Sequence, residues 1–453
     1  LHELIVAGVD VFRLNFSHGT HEDHLKVIEA IKELNQAFNY NVAILQDLQG
    51  PKIRLGDIED GGFDIEEGEE LVITTREVLG TRKLVGCTYT ALTRDVRAGD
   101  ALLIDDGTIE VRVESIEGTE VHTRVVYGGF VKPRKGVNLP DTEISESSLT
   151  RKDRRDLAFG LKHQVDWIAI SFVRNPGDVI DLRAIIDENQ SDSKIISKIE
   201  RPEAIKNIDA IVEHSDALMV ARGDLGVEIQ MEDVPVYQKR IIKKCNLASK
   251  PVIIATQMME SMITNPRPTR AEASDVANGV MDGTDAVMLS AETAAGKYPV
   301  QVIRAMTKII RSVEQHFPAI YHRSFDLNLQ DPDFGSETIV NSACEIAKAT
   351  NAKAIVGMTF SGYTAYRIAR NKPTADIFIF SANKKLLKQL NLAWGIRGFF
   401  YNKFESTDKA FNDIEEILVR EGHLRRGDVY ISSASLPLGA HKRTNVLKFN
   451  RVE

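Results

Sequence analysis

Cysteine is scarce in this chain: Cys87, Cys245 and Cys344 are the only three in 453 residues, far apart and odd in number. No disulfide framework and no zinc-type spacing emerges from them, which fits a reducing compartment and a packing role for each thiol. Long apolar runs are missing as well. No stretch reaches the roughly 20 residues that span a bilayer, and the opening LHELIVAGVD has no charged start ahead of an apolar signal core. Positive charge is not in excess: 57 Lys and Arg stand against 65 Asp and Glu, a net charge of −8. That balance excludes a broad nucleic-acid footprint but leaves room for a local basic site that holds phosphate. Low-complexity tracts and short-period repeats are not found. The expectation is a cytoplasmic protein with no nucleic-acid or membrane partner. At 43% hydrophobic and 27% charged, the chain has the composition and length for two or three globular domains.

The most telling stretch is 194–228, KIISKIERPEAIKNIDAIVEHSDALMVARGDLGVE. It reads as a strand, an amphipathic helix from Pro202, and a second strand that breaks at Gly223. Lys198 and Glu200 share one face of the first strand because strand side chains alternate. Asp224 follows the next strand on a Gly-flanked loop. Adjacent parallel strands would bring all three to one carboxyl-terminal edge, where barrel enzymes hold their chemistry. Two carboxylates suit a hard Mg²⁺ ion, and a lysine beside them suits a phosphoryl group. A solvated ion pair and a loop aspartate is the plainer alternative.

Similar strands recur along the chain. VDVFRLNF (9–16) leads to Ser17-His18-Gly19 and a helix from about His21 to Phe38, and VAILQDL (42–48) is a continuous apolar strand. From about Gly56 to Leu139 the texture turns to short alternating strands, with turns at Asp106-Gly107 and Glu117-Gly118, so an all-β insertion is expected. The α/β rhythm resumes near Thr150 with WIAISF (167–172), KIISKIE, ALMV (217–220), PVIIAT (251–256) and AVMLS (286–290). Thr269 and Glu272 mark a helix start by capping-box spacing. These make seven buried strands where a closed (β/α)8 TIM barrel needs eight, and the first is expected to be missing from this chain or to lie upstream of it. A smaller α/β unit follows a loop near 324–335, with strands at 352–358, 375–380, 395–401 and 428–433 and a closing strand at 446–451. The expected division is a barrel over 1–55 and 140–325, a β lid over 56–139 and a C-terminal α/β unit over 335–453.

Six stretches in one order resemble the pyruvate kinase family: Arg13-Leu14-Asn15-Phe16-Ser17-His18-Gly19, Ile199-Glu200, Met219 to Gly226, Ala255 to Met262, Pro266 to Glu272, and Met288 to Thr293. The resemblance covers nearly the whole chain. It implies transfer of a phosphoryl group from phosphoenolpyruvate to ADP, with later protonation of the enolate to pyruvate. Such a reaction needs positioning and charge neutralisation more than covalent chemistry. By resemblance, Glu200 and Asp224 hold one Mg²⁺, with Mn²⁺ an alternative, and a second ion rides on the nucleotide. Lys198 would face the migrating phosphoryl and the enolate oxygen, and Arg13 with Arg54 would grip the same group. The amides of Gly223 and Asp224 and the Thr256 hydroxyl would receive the substrate carboxylate, and Thr256 would join the proton route. Arg54, His18, Asn15, Lys135 and Asp106 would contact the nucleotide, the last two from the lid, which would close to exclude water.

One stretch departs from much of the family. Many members bind K⁺ through positions matching Asn15, Ser17, Asp47 and the Leu48 carbonyl, and carry glutamate after a Gly-Pro. Here Gly50-Pro51 is followed by Lys52, with Leu48, Gln49 and Leu55 around it, as in K⁺-independent members. A lysine ammonium can supply the charge that K⁺ and glutamate otherwise arrange. In the C-terminal unit, Thr359, Ser361, Gly362 and Thr364 resemble the phosphate cradle of an effector site for a sugar phosphate or nucleotide, with Lys442 and Arg443 adding charge. Family members form tetramers, so a homotetramer is expected. Two rivals remain: a Mg²⁺-dependent barrel lyase acting on phosphoenolpyruvate or an oxoacid, which would need neither lid nor arginine pair, and an inactive relative that senses a sugar phosphate.

Overall fold

The computed structural model describes residues 1–453 except 323–324, 326–328, 331, 404–405 and 437–442. Seven apolar stretches form one parallel sheet in chain order: β1 (Val11–Asn15), β2 (Ala43–Asp47), β3 (Trp167–Ile170), β4 (Lys194–Ile199), β5 (Ala217–Ala221), β6 (Val252–Ala255) and β7 (Ala286–Val287). Alternation splits each strand between two cores. Ala43, Leu45, Trp167, Ala169, Ile196 and Met219 make an inner cluster, while Ile44, Ile168, Ile170, Ile195 and Ile199 pack outward among helix residues. Burial on both faces explains why the strands read as apolar runs. β1 and β7 are the sheet's two edges among the described residues. The helical layer nevertheless closes across them, since helix His2–Ala7 packs on helix Pro299–His316, with Thr307 Oγ1 donating to the Ala7 carbonyl at 3.4 Å. Leu392, from the C-terminal unit, joins the inner cluster.

Residues between β2 and β3 build a six-stranded sheet and a two-stranded ribbon, 63–65 with 129–131, around their own apolar core. The strands Ile109–Glu117 and Glu120–Tyr127 pair antiparallel about Gly118, whose φ of 60° favours glycine. The C-terminal sheet runs β8 (Ala354–Met358), β9 (Asp376–Ser381), β10 (Ile396–Phe400), β11 (Val429–Ala434) and β12 (Val446–Arg451), in spatial order β10-β9-β8-β11-β12. Only β12 is antiparallel, and separate apolar clusters cover the sheet's two faces. No helix among the described residues is long and apolar enough to cross a membrane.

Local chemistry accounts for the helix starts. Thr20 with Asp23, Thr150 with Asp153, and Thr269 with Glu272 all form reciprocal capping boxes. Three local expectations are corrected. The segment after Pro202 is two helices, Pro202–Lys206 and Ile208–His214, that meet at Asn207. Arg222–Glu228 is a helix, so Asp224 sits in a first turn rather than on a loop. β7 is two residues long, because the Ser290 amide turns to Glu292 Oε2 at 2.6 Å instead of continuing a ladder.

Helix Arg151–Lys162 approaches β2 so closely that a Cβ on Gly160 would lie 2.0 Å from Gln46 Oε1. The Gln46 amide donates to the Asp156 carbonyl at 2.7 Å, and the side chain is fully buried. Gly160→Ala is therefore expected to cost about 1–3 kcal/mol by overpacking, read as a lower urea midpoint at unchanged m-value.

Candidate active site

The alternation that builds the inner core also builds the site. At the carboxyl-terminal end, the inward register passes from Leu45 to Asp47, from Ala169 to Ser171, and from Ile196 through Lys198 to Glu200. Arg13 of β1 reaches the same rim. Its Nε lies 2.6 Å from Asp47 Oδ2. Lys198 Nζ lies 3.4 Å from Asp47 Oδ1 and 2.9 Å from Glu200 Oε1, and donates to Ser171 Oγ at 2.8 Å. Asp47, Lys198 and Glu200 are 1%, 9% and 0% exposed, so these charges interact in a nearly dry pocket.

Burial pulls the Lys198 ammonium down, but the carboxylates of Asp47 and Glu200 outweigh it and hold the lysine protonated beyond its ordinary range. Burial also pushes at Asp47, yet Lys198 and Arg13 keep its carboxyl below the usual value. Glu200 goes the other way. Burial raises it first and Asp224 adds to the rise, with Lys198 opposing. One Glu200 oxygen accepts the Phe172 amide at 2.7 Å, where the backbone takes φ +54°. The other, Oε1, is buried, faces Lys198 off the line of a hydrogen bond, and has no hydrogen-bond partner among the described residues.

Thr256 follows β6 with φ +69°, a strained value for a β-branched residue. Arg222 holds it there. The guanidinium donates to the Thr256 carbonyl at 2.8 Å and is clamped by two 2.7 Å bonds to Asp275. The Gly223 amide donates to Thr256 Oγ1 at 2.7 Å, and that hydroxyl donates to the Ala255 carbonyl at 2.7 Å. Lys52 Nζ stands 3.9 Å from Asp224 Oδ1, so it faces the rim.

The other sequence candidates lie farther from this cluster. The Arg54 guanidinium donates to the Arg134 carbonyl at 3.1 Å, on the strap between barrel and β unit. His18 is exposed, and its carbonyl meets His24 Nε2 at 2.9 Å. Asn15 Oδ1 accepts the Ser17 amide at 3.1 Å. Asp106 is exposed at φ +57°, while Lys135 pairs with Asp105 at 2.8 Å. In the C-terminal unit the Thr359 hydroxyl accepts the Gly362 amide at 3.0 Å, Ser361 Oγ accepts the Tyr363 amide at 3.4 Å, and buried Thr364 and Thr444 join hydroxyls. Tyr363 lies between Arg367 and Arg443, at 3.5 and 4.0 Å from ring centre. Lys442 lies outside the described residues.

Sequence reading missed Ser171, Arg222 and Asp275. Ser171 carried a signal, as a polar residue at the inward position just past β3. Arg222 and Asp275 carried none, since 53 residues separate the partners of that clamp.

A parallel barrel with a buried lysine, a half-buried arginine and buried carboxylates at its carboxyl-terminal rim defines an enzyme that handles an anionic substrate. Residues 1–303 match the family profile "Pyruvate kinase, barrel domain" and residues 337–449 match "Pyruvate kinase, alpha/beta domain". The chain belongs to the pyruvate kinase family. It is 43% identical to a pyruvate kinase of Geobacillus stearothermophilus, over 99% of this chain and 77% of that one. It is 42% identical to one of Staphylococcus aureus strain MRSA252, over 100% and 77%. A crystal structure of a pyruvate kinase from Cryptosporidium parvum superposes with TM-score 0.91 at 37% identity, covering 100% of this chain and 92% of that one. The chain is thus a glycolytic phosphotransferase whose substrates are phosphoenolpyruvate and ADP.

Proposed function

We propose that Lys198 is the charge that carries the transfer, with Mg²⁺ held by Glu200 and Asp224. The carrying observation is the buried ammonium suspended between Asp47 and Glu200. The donor set fits a hard divalent ion, since Glu200 and Asp224 bring carboxylate oxygens to one rim and the buried Glu200 Oε1 faces only the Lys198 ammonium, at 2.9 Å, among the described residues. No cluster of three or more metal-ligating side chains occurs among the described residues, so substrate and water would complete the shell. The ion, when bound, supplies positive charge for the phosphoryl and enolate oxygens.

The chain's own residues do the rest. Arg13, Lys198 and Lys52 face Asp47, Glu200 and Asp224, three positive groups against three carboxylates. Lys198 neutralises the oxygen on which charge grows as phosphorus departs. Arg13, pinned by Asp47, directs its remaining N–H groups at the phosphoryl. The Gly223 amide and the Thr256 hydroxyl, which bond to each other and to the Ala255 carbonyl here, would turn with the Asp224 amide to orient the substrate carboxylate, and Thr256 would deliver the enolate's proton through a relay. Arg54, His18, Asn15, Lys135 and Asp106 serve the nucleotide as the β unit over 56–139 closes on the barrel over 1–55 and 140–325.

K⁺ is not required in this reading. Asn15 Oδ1, both Asp47 oxygens and the Leu48 carbonyl already accept internal partners, the last from Ser171 Oγ at 2.7 Å. Lys52 stands where it can supply the charge itself. In tetramethylammonium buffer free of Na⁺ and K⁺, full Mg²⁺-dependent turnover is expected, and adding KCl should change it by less than about twofold. A large activation by KCl would restore the monovalent site. The unit over 335–453 is read as regulatory, with Thr359, Ser361, Gly362, Thr364 and Arg443 taking a sugar phosphate or nucleotide. A cytoplasmic homotetramer completes the proposal.

A further inference from the structure

Helix Arg222–Glu228 is held at both ends by the two segments that join the β unit to the barrel. At its start Lys52 faces Asp224, at 3.9 Å. At its end the Asn138 amide donates to Glu228 Oε1 at 2.8 Å. The other Glu228 oxygen takes Arg201 Nη1 at 2.8 Å. Arg201 directly follows Glu200, and the two partners are 2% and 4% exposed. The same guanidinium donates to the carbonyls of Thr142 at 2.9 Å and Leu139 at 3.3 Å, both on the second joining segment, and to Glu203 at 3.1 Å. The turn at 105–107 overlies the helix as well, since a Cβ on Gly107 would lie 3.9 Å from Val227 Cγ1.

Removing two charges from water is costly unless geometry and hydrogen bonding are filled, and here they are. One end of this network is bonded in sequence to Glu200. Another lies on the helix that carries Asp224, and a third lies on the strap of the β unit. We propose that Arg201 and Glu228 are positioning residues of the transfer reaction. The pair sets Glu200 against Asp224 and ties that spacing to the docking of the β unit, so the divalent ion binds at full strength only when Asn138 is seated. This rests on the reading of Glu200 and Asp224 as the metal carboxylates.

The test is Mn²⁺ titration of the full chain, following the paramagnetic resonance of free ion, with amide exchange over 101–111 and 137–142. Glu228→Gln and Arg201→Lys are expected to weaken Mn²⁺ binding about tenfold, the scale for residues that orient metal ligands. Asn138→Ala should weaken it about threefold. All three should speed exchange over the 105–107 turn, while kcat at saturating Mn²⁺ stays within about threefold of wild type. If Glu228→Gln or Arg201→Lys does not fold, Asn138→Ala decides alone. Mn²⁺ affinity within about twofold of wild type in the folded variants overturns the proposal, and so does weaker binding with unchanged exchange. Glu200→Gln separates the two readings. Wild-type Mn²⁺ affinity in that variant would sink the metal assignment itself, whereas its loss there, with none in Glu228→Gln, removes only the positioning role.

Discussion

Replacing Lys198 with methionine is expected to lower kcat for pyruvate formation by at least about 10³-fold, since loss of even one preorganised neutral donor costs 10²–10³. Lys198 is a full charge in a site where Asp47 and Glu200 are almost completely buried. Methionine keeps the length and the packing but removes the ammonium that touches both carboxylates. Mn²⁺ binding should persist or tighten, because Glu200 and Asp224 lose a competing cation. Turnover within tenfold of wild type would take Lys198 out of the mechanism.

The opposite signature is expected from Glu200→Gln. Neutralising this residue leaves Lys198 with Asp47 and removes half of the carboxylate pair, so Mn²⁺ affinity should fall by at least about tenfold and kcat by 10²-fold or more. The amide can still accept from the Phe172 backbone, which lies 2.7 Å from Glu200 Oε2, so the fold around φ +54° at Phe172 should survive. A melting temperature within a few degrees of wild type would separate lost metal from lost structure. Unchanged metal affinity would move the site elsewhere on the rim.

These two variants are expected to act in opposite directions on one ion, and the sequence displays why Lys198 and Glu200 meet: they have equal parity, one on β4 and one just beyond its end. Other relations in the site lay beyond its reach. Lys52 and Asp224 are 172 positions apart in the chain, and only the fold brings them within 3.9 Å. The helix at 222–228 was hidden by two glycines in seven residues, whose low helix propensity reads as loop until packing overrides it. The strained φ of Thr256 had no signal either. Nothing in a threonine announces a positive φ, and the Arg222–Asp275 clamp that enforces it is assembled from distant segments.

By itself, then, the sequence determined what alternation and capping dictate: seven apolar strands, the shared face of Lys198 and Glu200, the helix start at Thr269, and the order of motifs that marks the family. Those are local properties, set by residue type and spacing of two or three. Tertiary structure alone decided how the charges meet, namely which carboxylate holds Arg13, what Lys52 faces, and how the Arg201–Glu228 pair binds the β unit's strap to helix Arg222–Glu228. Coulombic pairing in a dry interior depends on distance and burial, and neither is written in a linear string.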